Sequence, residues 1–69
     1  MPVRYEFVVR GQLSPEAVPA LSQFERSVED GDTVLRGALE SEKELPKVLG
    51  QFASLGLGLH AVRQLPGPD

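Results

Sequence analysis

Near the N-terminus, Val3, Tyr5, Phe7 and Val9 alternate with Arg4, Glu6, Val8 and Arg10. Successive side chains of a β-strand point to opposite faces, so this segment specifies a strand with one apolar and one mostly charged face. Val8 is the exception, an apolar group set among the charges. Such a strand calls for a second layer over one face only. The demand is strict, because the chain has 69 residues and no cysteine. Neither a disulfide nor a thiolate zinc site can staple it, so packing or a partner must hold the fold. Leu, Val and Phe supply 21 residues, enough for one small core and too many for a typical disordered chain. One compact domain over residues 1–65 is expected, followed by a flexible tail over 66–69.

After the strand, Gly11-Gln12-Leu13 leads into Ser14-Pro15-Glu16. The serine oxygen can cap a free N–H, proline is preformed for the first helical position, and Glu16 suits the positive helix end. Ala17, Val18 and Leu21 can cover the sheet. Pro19 removes a donor where the helical ladder should have begun, so this helix is short or distorted.

Residues 24–39 read as a hairpin around Glu29-Asp30-Gly31-Asp32. Asp-Gly favours a two-residue type I′ turn, whose two positions both need positive φ. Glu29 then faces Asp32, Val28 faces Thr33, Arg26 faces Leu35 and Phe24 faces Gly37. This register gathers Phe24, Val28, Leu35 and Leu39 on one side. Arg26 joins that side and fits only an edge strand, where a long side chain reaches water. The facing acids Glu29 and Asp32 carry a mild penalty that a longer turn would relieve.

Ser41-Glu42-Lys43-Glu44 has the capping-box spacing, and Leu45, Val48, Leu49, Phe52 and Leu55 follow at helical steps. Pro46 conflicts with a regular helix from Ser41, so either the first turn is irregular or the regular helix begins nearer Leu45. Gly56 suits the left-handed closing position, with Phe52 and Leu57 as the flanking apolar pair. Residues 60–65 form the last strand; Val62 is read as facing inward, against the parity of Leu59, Ala61 and Leu65. The order β-α-β-β-α-β is that of ferredoxin-like α+β domains. Two helices would cover one face of a four-stranded antiparallel sheet in order 4-1-3-2. That order puts the second strand at an edge, where Arg26 needs it.

The uncovered face should carry Arg4, Glu6, Val8 and Arg10 beside Val34, Arg36 and Ala38. It reads either as a solvated mixed-charge surface or as a self-complementary dimer contact around Val8 and Val34. The net charge of −3 and the lack of aromatic stacking platforms argue against nucleic acid. His60 is the one histidine and has no cysteine or carboxylate at a metal-binding spacing, so it reads as structural or surface; only a dimer pairing two copies would give it a ligand role. Glu40, Glu42 and Glu44 belong to a helix start, and Glu29, Asp30 and Asp32 to a turn. No nucleophile–base pairing emerges, so catalysis by this chain alone, a cofactor or a metal is not expected. Gly56-Leu57-Gly58 follows a helix and does not match a dinucleotide fingerprint. Gly11, Gln12 and Ser14 precede a capped helix, where free N–H groups can receive a ligand, although a tight turn needs the same glycine. The first residues place arginines inside the apolar run, unlike a secretory signal, and no stretch approaches the roughly 20 apolar residues of a membrane span. A cytoplasmic location is the expected default.

Three segments, Val9-Arg10-Gly11-Gln12-Leu13-Ser14, Asp30-Gly31-Asp32-Thr33-Val34-Leu35-Arg36-Gly37 and Leu49–Leu57, resemble a group of very short bacterial proteins of unknown function, found especially in actinobacteria. The resemblance spans nearly the whole chain and implies a fold, with no catalytic assignment attached. A more distant resemblance, through Gly11 before the first helix, is to ACT domains, βαββαβ modules that bind amino acids and commonly dimerise. The chain departs from that pattern by lacking the aspartate and proline before the glycine. Copper-chaperone-like domains share the topology, but their metal chemistry needs a cysteine pair. Two functions are therefore expected: a non-catalytic interaction or adaptor domain that docks on a protein partner or a second copy through the sheet face or an edge, or an ACT-like regulatory domain binding a small metabolite near Gly11–Ser14.

Overall fold

The computed structural model describes residues 2–66. Its elements are β1 (Val3–Val9), α1 (Ala17–Ala20), β2 (Glu25–Glu29), β3 (Asp32–Leu39), α2 (Leu45–Ser54) and β4 (Leu59–Gln64), with a 3-10 turn over Glu42–Glu44 before α2. The strands form one antiparallel sheet in the order β2-β3-β1-β4, and both helices lie on one face. This is the ferredoxin-like arrangement expected from the element order. The tail expected over 66–69 lies, beyond Pro66, outside the described residues.

The apolar face of β1 is the floor of the core. Phe7 is fully buried, with its ring edge-to-face against Phe52 from α2 at 5.0 Å and against Phe24 at 5.6 Å. Leu21, Leu35, Leu39, Val48, Tyr5 and Val9 close around them. Phe24 lies across from Gly37, and a Cβ added there would stand 2.6 Å from Phe24 Cδ1. Glycine is therefore what lets that ring down onto the sheet.

The hairpin has the register read from its turn. Glu29 pairs with Asp32, Val28 with Thr33 and Arg26 with Leu35. Asp30 and Gly31 have φ of 54° and 83°, both in the left-handed region that a type I′ turn requires. The turn does not lengthen to separate the facing acids, because each carboxylate turns to a different donor. Asp32 Oδ1 accepts from the Gly11 N–H at 3.0 Å, and Glu29 Oε2 accepts from Arg36 Nη2 at 3.2 Å.

Pro46 is accommodated by splitting the helix start. Ser41 Oγ accepts from the Lys43 N–H, Glu44 N–H bonds to Ser41 O, and the regular helix opens only at Leu45. Pro46 then occupies the first turn, where no N–H is needed. At the far end Gly56 has φ of 73°. Leu57 N–H bonds to Phe52 O and Gly56 N–H to Ala53 O, the two closing bonds of a Schellman motif. The first helix is short, as Pro19 implies, four residues ending before Leu21. Ser14 caps it through both Oγ and O to the Ala17 N–H.

The last strand begins one residue before its expected start and ends one residue earlier. Val62 pairs with Phe7 and packs on the core. The register with β1 shifts between Val8 and Val9, so that Leu59 pairs with Val9 and His60 is the extra residue of a bulge. That bulge brings Leu59 and Val62 to the same side despite their odd spacing.

Candidate functional site

Two surfaces are candidates: the sheet face opposite the helices and the free edge of β2. On the open face, cross-strand pairing brings Arg4 beside Ala38, Glu6 beside Arg36 and Val8 beside Val34. Six of the seven residues expected on this face thus meet in pairs, and Arg10 lies at the strand end, exposed, with its side chain near Gly58. The residues missing from the expectation are Arg63 and Ala61. Arg63 pairs with Glu6 from β4, as Ala61 does with Val8, and once Val62 is placed inward both of its neighbours must face outward.

Glu6 is the centre of this face. It is only 9% exposed and accepts from Arg63 Nε on one oxygen and Arg36 Nε on the other, both at 2.9 Å. The Arg63 hydrogen bond, helped by Arg36 and opposed by burial, holds the Glu6 carboxyl below its ordinary range. Arg36 is held above its ordinary value by its bonds to Glu29 first and Glu6 second. Arg36 lies directly across from Glu25 but bonds Glu29, four residues along β2. The guanidinium therefore spans the Ser27–Val34 pair that lies between. Val34 is accordingly 3% exposed on a face with no helix over it, and Ser27 Oγ is buried without a hydrogen-bond partner among the described residues. The apolar spot expected from Val8 and Val34 is thus largely roofed by charged side chains, with Val8 half-buried.

The other side of the sheet is covered unevenly. Because α1 stops after four residues, no helix covers Arg26 and Val28 on the helix side of β2; both are exposed, Val28 at 56%. Two adjoining recesses open there. One, of about 170 Å³, is lined by Leu13, Val18, Leu21, Phe24 and Leu35, with Ser22 and Arg26 at its margin. The second, of about 260 Å³, is lined by Gln12, Leu13, Arg26, Val28 and Thr33. Arg26 borders both, and it makes no ion pair among the described residues.

Of the expected ligand-loop residues, two have their donors or acceptors engaged within the chain. Gly11 gives its N–H to Asp32 and its carbonyl accepts from Thr33 Oγ1 at 2.7 Å, while Ser14 Oγ serves the helix start. Gln12 lines the second recess. Through the Gly11 N–H and carbonyl the loop braces β1 against the hairpin.

A family model described as Domain of unknown function (DUF8691) matches residues 4–63, from the second residue of the first strand into the last. The chain belongs to the DUF8691 family. No curated protein and no solved structure matches it. The DUF8691 match includes the Glu6 network and both recesses. Among the described residues, no group of three or more His, Cys, Asp or Glu side chains could hold a metal ion, and no helix is long and apolar enough to cross a membrane. His60 is exposed in the β4 bulge.

Proposed function

We propose that the chain is a non-catalytic protein-interaction domain that docks an extended segment of another chain along the free edge of β2. In a hairpin closed by a two-residue loop the flanking pair, Glu29 and Asp32, exchanges hydrogen bonds. Ladder alternation then points the peptide groups of Val28 and Arg26 away from β3. The observation that carries the reading is that these two outward-facing residues also border the recesses left open by the short α1. Strand addition gains affinity from such free peptide groups and specificity from adjacent side-chain pockets. β4, the other edge, is interrupted by its bulge, a device that discourages pairing. Docking through the open face has less support, because Val34 lies beneath Arg36. A cytoplasmic setting fits this role.

The test is a peptide-display selection on the intact chain, followed by amide NMR with a selected peptide. Perturbations centred on Arg26, Val28 and Leu13, lost in Val28→Pro and kept in Val8→Asp, support the reading. Perturbations around Val8 and Ala61, lost in Val8→Asp, overturn it.

An ACT-like reading, in which a small metabolite binds beside the first loop, is favoured by one feature: Gln12 and Arg26 share the second recess. With Gly11 and Ser14 already bonded internally, these two side chains would have to supply its polar contacts. Titration with an amino-acid panel would then move the Gln12 and Arg26 side-chain signals.

A further inference from the structure

We infer that the segment docked on β2 carries an acidic residue flanked on both sides, two positions away, by large apolar residues: apolar-x-acidic-x-apolar. The inference rests on the edge-docking reading and names the chemistry of its partner. Side chains of an added strand that share the helix side lie opposite Phe24, Arg26 and Val28 at two-residue steps. Arg26 is a cation with no ion pair among the described residues, which an acidic side chain opposite it complements. Beside the position opposite Phe24 lies the recess of about 170 Å³ that Phe24 and Arg26 border together with Leu13. That volume is below the range of whole-ligand pockets and suits one large apolar side chain. Opposite Val28, a second apolar residue covers a side chain that is 56% exposed. The pattern reads the same in both directions, so it holds for parallel and antiparallel addition.

A second copy of β2 is a poor occupant. Antiparallel self-pairing centred on Ser27 sets Glu25 against the partner strand's Glu29 twice, and centring on Arg26 sets two arginines face to face. Centring on Val28 avoids like charges but puts an aspartate, Asp30, beside Arg26 and no large apolar side chain in the recess. No segment of the chain has the apolar-x-acidic-x-apolar spacing. The partner is therefore a different protein.

The test uses ten-residue peptides with the core Leu-Thr-Glu-Thr-Val, measured by fluorescence anisotropy against the intact chain. Changing the central Glu to Lys should weaken binding about fivefold, and changing the Leu to Ala about tenfold. Arg26→Glu should reverse the Glu-over-Lys preference. Val28→Pro, which removes an outward N–H and spares the ladder, should weaken every peptide with an unchanged far-UV spectrum. Equal binding of the Glu and Lys peptides, no binding at all, or a preference that Arg26→Glu leaves unchanged would overturn the inference. So would concentration-dependent dimerisation abolished by Val28→Pro, which would retain the edge and replace the partner with a second copy. Peptide-induced changes confined to the open face would overturn both this inference and the docking reading beneath it.

Discussion

Phe24 rests where a side chain on Gly37 would be: an added Cβ stands 2.6 Å from Phe24 Cδ1 and 3.1 Å from Cε1. Phe24 also packs against Phe7 and Phe52, so its ring cannot withdraw without disturbing both. Gly37→Ala should destabilise the fold by about 1–3 kcal/mol, lowering the thermal midpoint by about 4–8 °C per kcal/mol. A double change with Phe24→Leu should cost less than the two single changes summed. Strict additivity in thermal denaturation would contradict this contact.

Two other glycines should respond in opposite directions. Gly56 has φ of 73° at the end of α2, whereas Gly50 lies inside that helix with open space at its Cβ position. Gly56→Ala should cost about 1–2 kcal/mol through backbone strain. Gly50→Ala should stabilise by about 0.5–1 kcal/mol through helix propensity. Urea titrations of both variants check the pair.

Glu6 ties stability to acidity. Arg63, with Arg36 and against the effect of burial, keeps its folded pKa below the ordinary 4.5. A carboxyl depressed in this way contributes stability that is fully present above the unfolded value and lost as pH falls through the folded one. The stability advantage of the parent over Glu6→Gln should therefore be constant near neutrality and shrink as pH drops through 4.5 and below. A gap that stays constant across that window in paired urea titrations would contradict the assignment.

Asp32 braces the first loop by accepting from the Gly11 N–H. Asp32→Ala should cost about 1–2 kcal/mol by leaving that donor unpaired. Exchange of the Gly11 amide should accelerate, while that of Arg10, bonded to Gly58 O at 2.9 Å, stays slow.

Local signals carried most of the architecture. The alternation of Val3, Tyr5, Phe7 and Val9, the Asp30-Gly31 turn and the Gly56 closure each encode their geometry within a few residues. The sheet order follows from them together with Arg26. The last strand was harder, because a parity count assumes an uninterrupted ladder and the bulge at His60 breaks it. An inward Val62 turns Arg63 outward, but its pairing with Glu6 depends on the register across β1, which no local signal gives. The roof over Val34 was also illegible, since it depends on Arg36 choosing Glu29 over the directly opposite Glu25. Pro19 announced a short first helix. The recess beside Arg26 and Val28 is the three-dimensional consequence of that shortness, and a linear reading does not show which strand it leaves bare.

The edge-docking account is tested most directly by hydrogen exchange at β2, followed residue by residue with and without a display-selected peptide. In the free chain the Ser27 amide should be protected and those of Arg26 and Val28 should exchange quickly. On binding, Arg26 and Val28 should gain strong protection while the amides of β4 remain unchanged. Protection that appears on β4, or Arg26 and Val28 amides that stay fast at saturation, would contradict it.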